Sequence, residues 1–174
     1  FVARYLSPAR MVGIDLSSQA VKFCNEHHRL ANLHFQQGDA ERLPFADASF
    51  DSVINVESSF CYPSIDRFFA EVRRVLRPGG HLHYTDLRLA HEVGDWRAAL
   101  ARCGLELVAE RDITANVIEA LHRDTPRRRA GGRRIVSGPF SAIADVFTGV
   151  DGTRIPSLLA RGEMVYFSFL LRKN

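Results

Sequence analysis

No apolar run in this 174-residue chain approaches the roughly 18 residues needed to cross a bilayer. The longest stretch near an end, Met164 to Leu171, carries Tyr166 and Ser168 and reads as a strand. The sequence therefore offers no membrane span. Cysteine is scarce: Cys24, Cys61 and Cys103 are an odd number, at spacings that match no zinc site. That pattern predicts a reducing, cytoplasmic setting, no disulfide and no metal, with Cys24 and Cys103 as small core residues. Broadly spread positive charge is lacking too. The net charge is +3, yet His122 to Arg134 holds six arginines against one aspartate, so this stretch supplies +5 and the remainder sums to −2. A nucleic-acid groove needs basic residues over a surface, with aromatics to stack bases. One cluster reads instead as a solvated insertion, and no nucleic-acid partner is expected.

What is present is the composition of one globular domain, 46% hydrophobic and 25% charged, able to bury one core and unlike a disordered chain. The chain opens on Phe1 with an apolar pattern like the middle of an element, and nothing there resembles a leader peptide. The expectation is the downstream part of a longer protein.

Met11 to Asp15 is a short apolar run closed by an acid, and Ser17 is placed to cap a helix carrying Ala20, Val21, Cys24 and His28 at helical spacing. Leu33 to Asp39 alternates like a strand, and Phe50 to Val56 is a third. Ile65, Phe68, Phe69, Val72, Val75 and Leu76 form a helical stripe stopped by Pro78-Gly79-Gly80. His81 to Leu87 reads as a strand, Glu92 to Arg102 as a helix ended by Gly104, and Leu105 to Ile113 and Met164 to Arg172 as strands. His81 and His83 fall on one strand face and are expected to pack under a helix. Strands alternating with helices predict an α/β fold with a doubly wound, mostly parallel sheet.

Ligands in such sheets bind beyond the carboxyl ends of the strands. Those ends carry Asp15, Asp39, Asn55 with Glu57, Asp86 with Arg88, and Asp112. Asp15 suits the two hydroxyls of a ribose, or equally a helix cap. Asp39 suits the exocyclic amine of an adenine, with the Ala40 N–H on a ring nitrogen, or an Asx turn.

Four segments come in fixed order: Val12-Gly13-Ile14-Asp15-Leu16-Ser17, Gly38-Asp39-Ala40-Glu41-Arg42-Leu43-Pro44-Phe45, Ser49-Phe50-Asp51, and Glu71-Val72-Arg73-Arg74-Val75-Leu76-Arg77-Pro78-Gly79-Gly80. Together they resemble a class I S-adenosylmethionine-dependent methyltransferase over residues 11–87, and Cys103 to Thr114 extends the likeness. Asn55 to Ser59, Cys61-Tyr62-Pro63, Asp86-Leu87-Arg88 and the tail from Val150 to Tyr166 are similar to the phthiotriolone/phenolphthiotriolone dimycocerosate O-methyltransferases and related natural-product enzymes.

The resemblance implies a Rossmann-like fold and S-adenosylmethionine as cofactor, contacted by Asp15, Leu16, Asp39, Ala40 and Asn55. It implies a lipophilic, polyketide-like hydroxyl as acceptor, with Phe60, Tyr62, Asp86 and Arg88 beside it. Residues 1–174 then form one domain, and residues 115–162 are a substrate cover inserted before the last strand. Its apolar residues Ile143, Val146, Phe147, Leu158 and Leu159 either line the acceptor pocket or pack the cover. Two features depart from the family. The glycine-rich loop and the strand before it are absent, since no Gly-x-Gly occurs in the chain. The slot of Phe60, often histidine in the family, cannot take a proton.

Methyl transfer from a sulfonium is an in-line displacement, served by alignment and exclusion of water. A hydroxyl acceptor also benefits from a general base. His91 and Glu57 are the leading candidates, with Asp86 and Tyr62 behind them. Two rival classes share these features: a nicotinamide-dependent oxidoreductase on the same sheet, and a non-catalytic fragment.

Overall fold

The computed structural model describes residues 1–135 and 154–174. A helical turn at Val2–Leu6 leads into β1 (Met11–Asp15), α1 (Ser18–His27), β2 (Leu33–Gln37) and β3 (Phe50–Val56). A 3-10 turn at Ser59–Cys61 precedes α2 (Ile65–Val75) and β4 (Leu76–Leu89). A second 3-10 turn at Ala90–Glu92 leads to α3 (Val93–Arg102), β5 (Glu106–Asp112) and α4 (Thr114–Ile135). The chain closes with α5 (Arg154–Ala160) and β6 (Met164–Arg172). Ile143, Val146, Phe147 and the Val150–Thr153 segment lie outside the described residues.

Local chemistry sets these boundaries. Ser17 caps α1, its hydroxyl accepting from the Ala20 N–H at 3.2 Å, and Ser64 caps α2 through the Arg67 N–H. The apolar stripe of α2 buries Phe68, Phe69, Val72 and Val75. Gly104, at φ 74°, takes the left-handed conformation that ends α3, which other residues adopt at a cost. Gly13 faces Phe35 across β1 and β2, where a Cβ would stand 2.5 Å from the ring.

The sheet is in two pieces. β1 and β2 pair in parallel, Met11 opposite Leu33 and Asp15 opposite Gln37. The second piece has the order β3-β4-β6-β5. β3 runs parallel to β4, while β6 lies antiparallel to both β4 and β5. Among the described residues β1 and β3 each keep an unpaired edge, as expected of this sheet without the strand that would lie between them. Ile54 and Val56 of β3 stand 45% and 55% exposed.

The main core lies between this sheet and α2 and α3, built from Phe68, Phe69, Leu82, Tyr84, Trp96 and Phe169 with their neighbours. A second cluster joins Leu87, Leu159, Met164 and Tyr166 to Val117, Ile118 and Leu121 of α4. Strand alternation settles the histidines differently from expectation. Leu82 and Tyr84 fill the α2/α3 side, so His81 and His83 point to the opposite side. There His83 is exposed and no helix lies over it among the described residues.

Two motifs that carry the family resemblance are scaffold. The Glu71 carboxylate accepts from the Leu43 N–H and from Arg74. Arg74 donates in turn to the Leu43 and Phe45 carbonyls and to Asp47. Together they clamp the loop after β2 onto α2, and Arg74 holds the Glu71 carboxyl below its ordinary range. Glu41 of the same loop accepts from the Ser64 N–H at the head of α2.

Candidate active site

The ends of β1 and β2 are tied by the Gly38 N–H, which donates to the Asp15 carbonyl at 3.0 Å. The Asp15 Oδ1 accepts from the Ser17 N–H at 2.8 Å, and Gln37 holds the Leu16 carbonyl. Asp15 is therefore not the helix cap; Ser17, two residues further on, is. Asp39 forms the Asx turn, its Oδ1 accepting from the Glu41 N–H at 2.8 Å. Both carboxylates are exposed, and each keeps a second oxygen without a hydrogen bond among the described residues. Leu16, 68% exposed, offers an apolar surface beside them, while Ala40 packs partly against the main core. Two acceptors and an apolar surface suit a nucleoside, with a diol and an amine as donors.

Asn55, at the end of β3, is 8% exposed. Its Nδ2 donates to Ser58 Oγ and Tyr62 OH, both at 2.9 Å. Its Oδ1 is buried with no partner among the described residues. A buried acceptor left unpaired costs roughly 1–3 kcal/mol, so this oxygen is suited to a donor on a bound molecule. Tyr62 thus holds Asn55 in place, its ring against Phe68.

Glu57, two residues on, adopts φ 50° and is anchored by its N–H to the Thr85 carbonyl at 2.9 Å. A non-glycine residue in this region costs of order 1 kcal/mol or more and persists where its surroundings over-determine it. Its exposed carboxylate accepts from the phenol of Tyr166 on β6. Burial, with the neighbouring Glu57 charge, pushes the Tyr166 phenol well above its ordinary range.

Asp86 and Arg88 turn inward, their polar groups engaged within the protein. Asp86 is fully buried. Its Oδ2 accepts from the Ser59 N–H at 2.8 Å and the Ser59 hydroxyl at 2.5 Å, and its Oδ1 from the Leu87 N–H. Arg88 donates to Ser59 Oγ and the Leu87 carbonyl, with its guanidinium 4.7 Å from the centre of the Trp96 ring. Trp96 Nε1 donates to the Tyr84 OH, and burial pushes that phenol up to about 12. This network fixes the Ser59–Cys61 turn, which presents Phe60, 52% exposed, at the surface.

The two base candidates part company. β3 ends opposite Thr85, yet β4 runs on to Leu89 paired with β6. His91 follows in the next 3-10 turn, exposed, and the strand end at Leu89 already lies about 10 Å beyond the level of Glu57 at roughly 3.3 Å per residue. The structure thus brings Asn55, Glu57, Phe60 and Tyr62 together at the end of β3, and does not bring His91 to them. Asp112 accepts from the Thr114 N–H at the head of α4. Tyr166, Ser58 and Ser59 escaped the sequence reading. Only Tyr166 left a signal, as the polar group interrupting an apolar strand.

The methyltransferase domain family matches residues 1–84. Over all 174 residues the chain is 40% identical to a phthiotriol/phenolphthiotriol dimycocerosates methyltransferase of Mycobacterium leprae, and spans 64% of that protein. It is 44% identical over 124 residues to a fatty-acid O-methyltransferase of Mycolicibacterium smegmatis, covering 71% of this chain and 45% of that one. In fold it resembles Haemonchus contortus phosphoethanolamine N-methyltransferase 2 solved with S-adenosyl-L-methionine. That likeness has a TM-score of 0.74 at 17% identity and covers 93% of this chain and 43% of the other. The chain thus resembles methyltransferases in sequence over its first half and beyond, and in fold it has a Rossmann-like α/β architecture. Among its relatives, phthiotriol/phenolphthiotriol dimycocerosates methyltransferases are similar to it along its whole length, and it spans less than two thirds of theirs.

Proposed function

We propose that this chain is the main part of an S-adenosylmethionine-dependent O-methyltransferase whose acceptor is the hydroxyl of a lipophilic small molecule. The observation that carries the reading is the pair of exposed carboxylates at the tied ends of β1 and β2, each with an oxygen to spare beside Leu16. Asp15 would hold the ribose hydroxyls. Asp39 and the Ala40 N–H would hold the adenine edge, with Leu16 against its face. The Asn55 oxygen would take a donor from the cofactor or acceptor. The glycine-rich cradle for the methionine end is not among these residues. When bound, the cofactor supplies a methyl group on a sulfonium, an excellent leaving group.

Glu57 is the base: its carboxylate takes the proton of the acceptor hydroxyl as the oxygen gains the methyl group. Phe60 and Tyr62 flank it. Leu87, Leu159 and the apolar side of α4 form the nearest apolar cover, which suits a lipophilic acceptor and helps exclude water. The names of the mycobacterial relatives support the same acceptor class. Calorimetric titration of the protein with S-adenosylmethionine, S-adenosylhomocysteine and NADH tests the cofactor. Binding of the first two and not the third is expected, and binding of NADH alone overturns the reading. Methyl-labelled cofactor offered with phenols, aliphatic alcohols, amines and RNA tests the acceptor. Label only in amines or RNA overturns that half.

A further inference from the structure

We infer that Tyr166 is the positioning residue of the catalytic carboxylate, holding one oxygen of Glu57 so that the other meets the acceptor hydroxyl. The inference rests on Glu57 being the base. Tyr166 is 5% exposed and belongs to the cluster that joins β6 to α4 and α5. Its main chain is fixed on both sides: its N–H donates to Thr114 Oγ1 at 2.9 Å, and its carbonyl accepts from the Ile113 N–H at 2.9 Å. Register places it opposite Leu87 on β4, just past the level at which β3 ends. From there its phenol donates to Glu57 Oε1.

Glu57 itself is exposed, and Tyr166 is the side chain it bonds among the described residues. An exposed glutamate has many rotamers; the phenol selects one. The backbone does the rest, since the left-handed φ and the bond to the Thr85 carbonyl fix where the side chain leaves the strand. The phenol keeps its proton throughout and serves only as donor. It binds the ionised carboxylate before transfer, and the proton from the acceptor goes to the free oxygen, Oε2. Correct orientation of a general base counts heavily because misplacement by about 1 Å can cost 100-fold. Tyr166 also belongs to the apolar cluster of the cover, so the base is aligned by the same residue that shapes the acceptor side.

The test is a double-mutant cycle in the full chain, with labelled S-adenosylmethionine and a long-chain alkylphenol and a long-chain alcohol as acceptors. Tyr166→Phe keeps the ring in its cluster and removes only the hydroxyl. It is expected to lower kcat about tenfold or more, with KM for S-adenosylmethionine and the thermal melt unchanged. Glu57→Gln is expected to lower kcat further, and the double variant to be no slower than Glu57→Gln alone. Alkaline titration of tyrosine absorbance gives a readout free of turnover: Glu57→Gln should bring one late-titrating tyrosine back towards the ordinary range, and Tyr166→Phe should remove it. An unchanged kcat in Tyr166→Phe, or losses that multiply in the double variant, overturns the inference. Full activity in Glu57→Gln overturns it together with the base, while leaving the calorimetric result on the cofactor standing. Absence of turnover on both acceptors in the unsubstituted protein overturns it together with the acceptor class.

Discussion

Asp15 and Asp86 are both strand-end acids, and their surroundings separate them. Asp15 spends one oxygen on the Ser17 N–H and keeps the other at the surface. Asp15→Ala should weaken S-adenosylmethionine binding by about 1.5–3 kcal/mol, the usual worth of hydrogen bonds to a charged group. Calorimetry reads this directly, and an unchanged dissociation constant in a folded variant would return Asp15 to a turn-forming role. Asp86 is used up inside the protein by Ser59 and Leu87. Asp86→Ala would strand the Ser59 N–H and leave Arg88 without its partner 3.5 Å away. We expect a loss of about 3–5 kcal/mol in a denaturant melt, the usual result of breaking a buried charge pair; a loss below about 1 kcal/mol would contradict this account. Asp15 stands out in the sequence because an acid closing an apolar strand has few uses. Asp86 was legible too, by a signal that reading strand ends passed over: it shares its strand face with Leu82 and Tyr84, the buried face. Glu57 with Tyr166 was not legible as a pair, because 109 residues separate them and only the β4–β6 register brings them together.

At the scale of elements, periodicity and caps located β1, β3, α2 and β6 closely, because each has either an unbroken apolar stripe or a clear terminator. The stretch after α2 read as a turn before a strand, while in the structure β4 begins at once at Leu76. Its pairing with β3 merely slips around Pro78-Gly79-Gly80, Phe50 meeting Leu76 and Ser52 meeting His81. The loop after β2 owes its place to Glu71 and Arg74. The Glu71 carboxyl is depressed below its ordinary value of 4.5 in the folded chain, mainly by its hydrogen bonds from Arg74. A depressed folded value contributes stability above the unfolded value, and that contribution is lost as pH falls through the folded one. Melts of the protein and of Glu71→Gln, run from about pH 6 to about pH 3, should therefore converge as acid is added. A gap that stays constant over that range would remove the clamp from the account.

For the whole molecule, the two-piece sheet is the feature with the largest consequence for behaviour in solution. β1 and β3 present unpaired edges among the described residues, and Ile54 and Val56 add exposed apolar surface beside one of them. Open, apolar strand edges template pairing with other chains. Residues 1–174 expressed alone should therefore self-associate as concentration rises, and Ile54→Lys with Val56→Lys should suppress it. Light scattering behind size-exclusion chromatography decides this, and a monodisperse monomer with a sharp melt would refute it. The clamp on the loop after β2 has a different reach. Apart from Asp47, Glu71 and Arg74 grip that loop by one amide and two carbonyls of its main chain. Such a grip is blind to most of the letters it holds. Replacement segments of equal length could be grafted between β2 and β3 with new side chains and still be seated. The fold thus carries, next to Asp39, an exchangeable cassette for altering which nucleoside-like molecule the protein accepts.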